Sequence, residues 1–261
     1  MKIKEIIDHL EALAPLAFQE SYDNAGLLVG APTDETESAL LCLDVTESVV
    51  DEAIAQGHRL IISHHPLIFG GLKKINGKNE VERCVIKAIR HQIAIYAAHT
   101  NLDAVQGGVN TMICNKIGLV NQQGLTATND SEPIGIGLVG DLPQGEEEKI
   151  FLQRIKDTFH CEAIRHSKLL GKKINRVAVC GGAGSSLAHA AIAAGADIFI
   201  TGDMKYHEFF EADNRIILAD IGHFESEQFT PFIFRELLIE KIPNFVVRLT
   251  THCTNAVNYF I

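Results

Sequence analysis

Two adjacent histidines follow an apolar run, Leu60–Ser63, which predicts a buried strand ending at a loop. The same order of strand and then histidine recurs twice more, and each time an acidic residue follows four positions later. The adjacent pair is His64 and His65, and the two later pairs of histidine and acid are His99 with Asp103 and His223 with Glu227. Imidazoles at buried strand ends are costly without a partner, and imidazole together with carboxylate is a common donor set for divalent metals. The pattern predicts a dinuclear metal site.

The spacing of these residues suggests how two ions could be held. The side chains of His64 and His65 diverge if the backbone is extended, so they could serve two ions, or one ion if the loop turns sharply. Asp103 and Glu227 could each bridge two metals through their two oxygens. In a helical turn His223 and Glu227 share one face. The donor types suit two divalent ions of Zn, Fe, Mn or Ni, and do not choose among them.

Three further features could take part in chemistry. His99 fits three roles equally well: a metal ligand, a support for a ligand, or a substrate contact. Asp203 could cap a following helix, and His207, one turn into that helix, could donate or accept a proton. The glycine-rich segment Cys180–Ser186 could hold a phosphate through its backbone amides, or could be a plain tight turn.

Composition excludes several classes of protein. The formal charge of −10 argues against a general nucleic-acid binder, although bound metals would still allow a nucleotide substrate. Six scattered cysteines without a CxxC pair fit a reduced chain rather than a disulfide scaffold or a zinc finger. No apolar stretch reaches the roughly 18 residues that span a bilayer, and the N-terminus lacks the apolar core of a signal peptide. We expect a cytoplasmic protein that does not enter a membrane.

Strands and helices alternate along most of the chain, which predicts an α/β fold with mixed sheets. Among the expected helices are Glu47–Gln56, Lys205–Ala212 and one long helix over about Glu225–Lys241. The polar segment around 121–132 is the best candidate boundary. It predicts a first lobe over 1–128 and a second over 129–261, with a C-terminal strand that could return to the first lobe.

An internal repeat supports two similar lobes. Ala53–Ser63 aligns without gaps on Ala191–Thr201, and the paired histidines then fall on Gly202–Asp203. Chance similarity between two helix–glycine–strand units is the alternative. In both copies the glycine, Gly57 or Gly195, stands where a helix ends in left-handed conformation before the next strand.

Several segments together resemble a known family. They are Tyr22–Gly30, Ile61–Phe69, Ala98–Ala104, Cys180–Ser185, Ile200–Asp203 and Gly222–Glu227. In this order, over about residues 3–230, they resemble the GTP cyclohydrolase 1 type 2 homologue family, also known as the Nif-three-like family. The His-His-Pro and Thr-Asn-Leu-Asp segments are specific in combination. One departure is Tyr22, where the family more often has tryptophan, which affects packing or a stacking surface.

The resemblance implies a particular architecture and ligand set. It implies two similar α/β lobes with a dinuclear metal site in the cleft between them, and a toroidal homohexamer. The implied metal ligands are His64, His65, Asp103, His223 and Glu227. Some members of the family carry a further domain inserted in mid-chain, for which this chain is too short.

The leading functional hypothesis is a metal-dependent hydrolase that acts on a nucleotide or related small molecule. The metals would lower the pKa of a bound water and polarise the substrate, and His99 or His207 would transfer protons. With GTP the attack would fall on the purine C8, and a phosphoester would use the same groups. The alternatives are a non-catalytic metal-binding or regulatory protein, and a scaffolding oligomer with a vestigial site.

Overall fold

The computed structural model describes residues 1–125 and 135–260, and it divides the chain into two compact units. Unit 1 comprises Met1–Leu102 and Thr230–Asn258, and unit 2 comprises Asp103–Phe229 with the C-terminal end from Tyr259. The boundary predicted at 128/129 lies outside the described residues. Each unit is built of helices and a mixed sheet, so the predicted α/β class is confirmed.

The described helices and strands follow one another in near-regular alternation. The α-helices are α1 (Ile3–Leu13), α2 (Glu47–Gln56), α3 (Glu80–Arg90), α4 (Thr100–Asp103), α5 (Val109–Ile117), α6 (Glu148–Thr158), α7 (Ala188–Ala193), α8 (His223–Glu227) and α9 (Thr230–Lys241). The strands are β1 (Gly26–Val29), β2 (Ser38–Cys42), β3 (Leu60–Ser63), β4 (Ala94–Ala97), β5 (Val120–Gly124), β6 (Leu138–Glu147), β7 (Arg165–His166), β8 (Lys173–Ala183), β9 (Ile198–Gly202), β10 (Ile217–Asp220) and β11 (Val246–Leu249). Short 3-10 helices cover Leu16–Phe18, Ser185–Leu187 and Tyr206–Ala212.

The sheet of unit 1 has the strand order β1-β4-β3-β2-β11. β2, β3 and β4 run parallel, as the strand–helix–strand pattern requires, and β1 closes one edge in the antiparallel direction. β11 closes the other edge by pairing in parallel with β2. The C-terminal strand thus belongs to the sheet that holds the paired histidines.

The sheet of unit 2 has the strand order β5-β6-β8-β9-β10-β7. Its centre, β8, β9 and β10, is again parallel, and β7 closes one edge in the antiparallel direction. On the other side β6 and β5 continue the sheet as antiparallel strands. Each unit therefore contains three parallel strands with an antiparallel neighbour at one edge, which matches the repeat seen in the sequence.

The parallel strands are apolar because both of their faces are covered. In unit 1, buried residues of β2 and β3 such as Leu40 and Ile61 pack with Val49, Val50 and Ala53 of α2. Burial of one such aliphatic side chain contributes roughly 1.5–3 kcal/mol. In unit 2 the same arrangement joins buried residues of β8, β9 and β10 to α7.

The repeated glycines have the conformation that the sequence predicts. Gly57 follows α2 with φ 77°, and Gly195 follows α7 with φ 73°. Both are left-handed, and both open directly onto the loop before the next parallel strand. The structural role assigned to them is confirmed.

Two expected helices differ in form. The segment predicted as a helix over Lys205–Ala212 is a 3-10 helix that begins at Tyr206. The single helix expected over Glu225–Lys241 is two helices, α8 and α9, separated at Gln228–Phe229. Pro231 explains the break, because its ring would clash with the carbonyl of Glu227 in a continuous helix, whereas proline fits the first turn of a new one.

No helix in the described part of the chain combines the length and the apolar character needed to span a membrane.

Candidate metal centre

The carboxyl edge of the unit 1 sheet carries three histidines. His64 and His65 follow β3 directly, and His99 follows β4 after Ala98. Parallel strands end at the same edge, so residues distant in sequence meet there. The loop turns rather than continuing the strand: the rings of His64 and His65 lie 4.9 Å apart between centroids, and His99 lies 5.3 Å from His64. One potential ligand atom from each histidine lies within 4.8 Å of the others.

Each of these rings is held at Nδ1 by an oxygen that accepts its proton. His64 Nδ1 donates to the carbonyl of Ala98 at 2.8 Å. His65 Nδ1 donates to Asp44 Oδ1 at 2.6 Å, and His99 Nδ1 donates to Asp23 Oδ1 at 2.8 Å.

These hydrogen bonds fix which tautomer each imidazole adopts in its neutral form. A carbonyl or carboxylate oxygen can only accept, so Nδ1 carries the hydrogen and Nε2 carries the lone pair. This is the arrangement in which metal-binding histidines are usually found. The unit 1 cluster therefore has both the donor type and the orientation that a divalent metal requires.

Unit 2 brings a histidine and two acids together. His223 and Glu227 begin and end α8, and His223 Nε2 lies 3.1 Å from Glu227 Oε2. Asp103, the last residue of α4, offers a carboxylate oxygen within 4.8 Å of one from Glu227. Both carboxylates are buried, with 8% exposure at Asp103 and 3% at Glu227. Neighbouring buried carboxylates repel each other, so a cation is the natural partner of this pair.

Asp203 orients His223 in the way that Asp44 orients His65. Its Oδ2 accepts a hydrogen bond of 2.7 Å from His223 Nδ1. The helix-cap role considered for Asp203 is wrong, because the following 3-10 helix starts at Tyr206 and has Lys205 at its N-cap. Asp203 stands where the repeat places His65, so the same position supplies a histidine in one unit and the partner of a histidine in the other.

The glycine-rich segment Cys180–Ser186 makes room for α8. A Cβ on Gly182 would lie 2.5 Å from Glu227 Oε1 and 3.2 Å from His223 Nε2. Three backbone amides of the segment donate to acceptors within the protein: Gly181 N to Asn110, Gly182 N to Ser226 and Gly184 N to Thr201. These three amides therefore do not support the phosphate-binding alternative, and the segment acts as a close-packing turn.

The pKa values of Asp23 and Cys180 are shifted in opposite directions. Burial opposes ionisation of Asp23, but hydrogen bonds from His99 and Thr100 outweigh it and lower the pKa of Asp23 from 3.8 to about 2. Burial raises the pKa of the Cys180 thiol well above its usual range, and the charges of Asp103 and Glu227 add to that effect. Burial therefore disfavours the thiolate of Cys180, and the metal-binding groups of the described residues offer nitrogen and carboxylate oxygen donors.

His207 is not a member of the metal-binding groups found in the described residues. It is exposed on the 3-10 helix, where its ring stacks on Phe210 at 6.3 Å and meets Tyr206 edge-on at 5.1 Å. Its suggested part in proton transfer stays a prediction.

Two residues of the clusters were not singled out from the sequence. Asp44 also follows a parallel strand, β2, and its position at the end of an apolar run was a usable signal. Asp23 lies between a 3-10 helix and β1, and its contact with His99 joins residues 76 positions apart. Local pattern carries no signal for such a contact.

Fold and clusters together define the class of protein: an α/β chain with His, Asp and Glu groups that could hold metal ions at the carboxyl ends of parallel strands. The family model described as Duf34/NIF3 (NGG1p interacting factor 3) matches residues 1–257. The chain belongs to this family.

Related proteins agree with this assignment. The chain is 34% identical over 229 residues to a GTP cyclohydrolase 1 type 2 homolog of Clostridium acetobutylicum, covering 87% of this chain and 85% of the relative. A protein of the same name from Campylobacter jejuni is 32% identical over 262 residues and is covered completely. The resemblance inferred from the sequence motifs is therefore confirmed.

Solved structures share the fold. A Bacillus cereus protein related to NIF3 superposes with a TM-score of 0.91 at 25% identity, covering 100% of this chain and 99% of that one. HcgD from Methanocaldococcus jannaschii superposes with a TM-score of 0.80 at 27% identity, covering 95% of this chain and 97% of that one.

Proposed function

We propose that the protein binds two divalent metal ions. The ligands would be His64, His65, Asp103, His223 and Glu227. One observation carries the proposal: all three of these histidines use Nδ1 to donate to an oxygen acceptor, which aims the Nε2 lone pair for coordination. Nitrogen and carboxylate oxygen donors suit Zn²⁺, Fe²⁺, Mn²⁺ or Ni²⁺.

We further propose that the protein is a metal-dependent hydrolase that uses this metal centre. Metal ions held by these residues would supply Lewis-acid chemistry, polarising the substrate and lowering the pKa of a bound water. His99 would take up a proton at Nε2 and pass it to the leaving group. Asp23 supports this role because it accepts a hydrogen bond from Nδ1 and stabilises the protonated ring. His207 remains a second candidate for proton transfer, and a His207→Gln variant compared with His99→Gln would rank the two.

The substrate we propose is a nucleotide or a related small molecule with a C–N or phosphoester bond. The support is the name shared by the curated relatives, GTP cyclohydrolase 1 type 2 homolog. A non-catalytic metal-binding or regulatory protein would use the same ligands without turnover.

The oligomer proposed by family resemblance is a toroidal homohexamer. Its mass in solution would be about six times the 28.6 kDa of the chain. Light scattering coupled to gel filtration measures this directly, and a monomer at micromolar concentration would contradict it.

The test of the metal centre combines metal analysis with turnover. Metal-replete protein should contain two ions per chain, and Asp103→Ala should lose metal together with any activity on a panel of nucleotides and phosphoesters. Asp157→Ala, an exposed aspartate on α6 of unit 2 that accepts a hydrogen bond from Gln153, is the matched control. Fewer than one ion per chain, or activity unchanged in Asp103→Ala, would overturn the dinuclear hydrolase. Two ions with no turnover on the panel would favour the non-catalytic alternative.

A further inference from the structure

A pocket of about 570 Å³ opens in unit 2 between β7 and the 3-10 helix Tyr206–Ala212. Its volume lies in the range of small-molecule sites. None of the residues that line it belongs to the proposed metal ligands, so the function proposed above leaves the pocket without a role.

One wall of the pocket is aromatic. Tyr206 and Phe210 line it, and their rings meet edge to face at 5.6 Å. Both are unusually exposed for large apolar rings, with 72% of Tyr206 and 67% of Phe210 accessible. Phe209 continues the wall and carries the Arg165 guanidinium 5.7 Å from its ring centre. Exposed ring faces of this kind can stack a planar ligand.

Basic side chains and a histidine also line the pocket. Arg165, His166 and Lys168 line it along and beyond β7. Arg165 is fixed by Asp220 and by the carbonyl of Met204, so its position does not depend on a ligand. Lys168, by contrast, makes no ion pair with any residue that the structure describes.

Ion pairs within the protein offset most of the charges around the pocket, including that of Arg165, which pairs with Asp220. The carboxylate that lines the pocket, Asp213, lies 3.4 Å from Arg215 Nε, which offsets its charge. Lys168 is then the lining charge that has no ion pair among the described residues, and in a chain with a formal charge of −10 it favours an anion at this position.

We propose that this pocket is a second binding site, for a planar aromatic anion of the nucleoside monophosphate class. The ring stacks on Tyr206 and Phe210, and the phosphate lies toward His166 and Lys168. Aromatic stacking would supply most of the affinity, and Lys168 would select the charged ligand over the neutral one.

Calorimetry with AMP as the probe tests the site in the full-length protein. One AMP per chain should bind with the same Kd before and after treatment with a metal chelator, because the metal ligands take no part. Tyr206→Ala should weaken binding roughly tenfold, the usual effect of removing a stacking ring. Lys168→Gln should weaken AMP binding severalfold and leave the binding of adenosine unchanged.

Two exposed positions on α6 provide matched controls. Ile150→Ala removes an exposed apolar side chain, and Lys149→Gln removes an exposed lysine, and neither lines the pocket. Both should bind AMP as the wild type does.

Three results would overturn the proposal: no saturable binding at millimolar AMP, binding lost after chelation, or equal affinity in wild type, Tyr206→Ala and Lys168→Gln. A change of assembly mass in Tyr206→Ala with AMP affinity unchanged would also overturn it, by showing that a second copy of the chain covers the rings. Metal content is measured in the same samples, so failure of this site is separable from failure of the metal centre.

Discussion

Asp203 illustrates how much of a histidine's chemistry depends on one distant carboxylate. It has φ 55°, a left-handed conformation that aspartate tolerates better than most residues. In that conformation its carboxylate meets Nδ1 of His223 at 2.7 Å although 20 positions separate the two residues. The contact holds the hydrogen on Nδ1 and makes Nε2 the more basic nitrogen.

Replacing Asp203 by asparagine should weaken metal binding by roughly 10–100-fold, the usual cost of losing the partner of a metal-binding histidine. The amide keeps the shape of the side chain and loses its charge, so His223 is less firmly oriented and less basic. Competition with a chromophoric chelator measures the change in affinity.

Asp213→Asn is the control for this substitution. Asp213 is also in left-handed conformation, with φ 44°, and is also exposed in unit 2, so both the backbone and the charge change are matched. Metal affinity should be unchanged in Asp213→Asn. An equal loss in both variants would mean that Asp203 acts through surface charge rather than through His223.

The candidate histidines were proposed from the sequence because each follows an apolar strand, and the candidate acids because each stands four residues after a histidine of this kind. The carboxylates that accept hydrogen bonds from the histidines were harder to predict. Asp44 has the same local signature as the histidines, whereas Asp23 and Asp203 acquire their roles only when the chain folds. Spacing alone does not determine which carboxylate will face which ring.

At the scale of secondary-structure elements, the end of β8 lies in close contact with two side chains of α8. Gly182 has φ 61°, and a Cβ there would press on Glu227 and His223. Gly182→Ala should therefore displace the two α8 side chains, lower the metal content and destabilise the fold. Metal analysis and urea unfolding measure the two effects separately.

Gly195→Ala distinguishes backbone strain from displacement of α8. Gly195 has a comparable φ of 73°, but a Cβ there would meet nothing within 4 Å. Both variants should lose about 1–2 kcal/mol of stability from the left-handed conformation. Only Gly182→Ala should lose metal; loss of metal in Gly195→Ala as well would attribute the effect to general destabilisation.

Helix α2 is tied to the segment after β11 by a buried acid. Glu52 accepts hydrogen bonds from the hydroxyl of Thr250 and from the amide and hydroxyl of Thr251. Burial opposes ionisation of Glu52, but these hydrogen bonds outweigh it and lower its pKa below the ordinary value of 4.5. The charged carboxylate is therefore the form that joins two parts of unit 1 about 200 residues apart in sequence.

Glu52→Gln should reduce the free energy of unfolding at pH 7 by about 1–3 kcal/mol, the usual effect of removing a charged hydrogen-bond partner. A lowered pKa stabilises the fold above the ordinary pKa of 4.5, and the contribution is lost as the pH falls through the lower, folded-state pKa. The difference between wild type and variant should thus shrink below pH 4.5. Urea unfolding at several pH values measures it.

An exposed glutamate of α9 serves as the control for charge alone. Glu236→Gln should change stability little at either pH. A difference between wild type and Glu52→Gln that persists unchanged at low pH would show that the shape of the side chain, rather than its charge, joins α2 to the C-terminal segment.

Helix type was harder to predict than helix position. The bounds of α2 were predicted to the residue, because Thr46 caps it and Gly57 ends it. The helix expected over 205–212 forms as a 3-10 helix, with Tyr206 and Phe210 exposed. Tertiary packing decides between the two forms, and local spacing does not.

At the scale of the whole molecule, the repeat places related chemistry in both units and divides the proposed ligands between them. Each unit has parallel strands that end in polar residues, and each provides at least one histidine held at Nδ1. His99 and His223 follow corresponding strands, β4 and β10, and each has an acid four residues later. The two copies have diverged in the residues that hold the imidazoles, while the order of strand, histidine and acid remains.

If the two sets of ligands bind the same pair of ions, metal binding must stabilise both units together. Hydrogen exchange should then slow on metal addition at the end of β3 in unit 1 and at α8 in unit 2, because a ligand of the folded state suppresses local opening. His64→Ala, which removes a ligand only from unit 1, should abolish the protection at α8 as well. His91→Ala, an exposed histidine at the end of α3, should leave both responses unchanged. Protection of α8 that survives in His64→Ala would instead mean that each unit binds its metal independently.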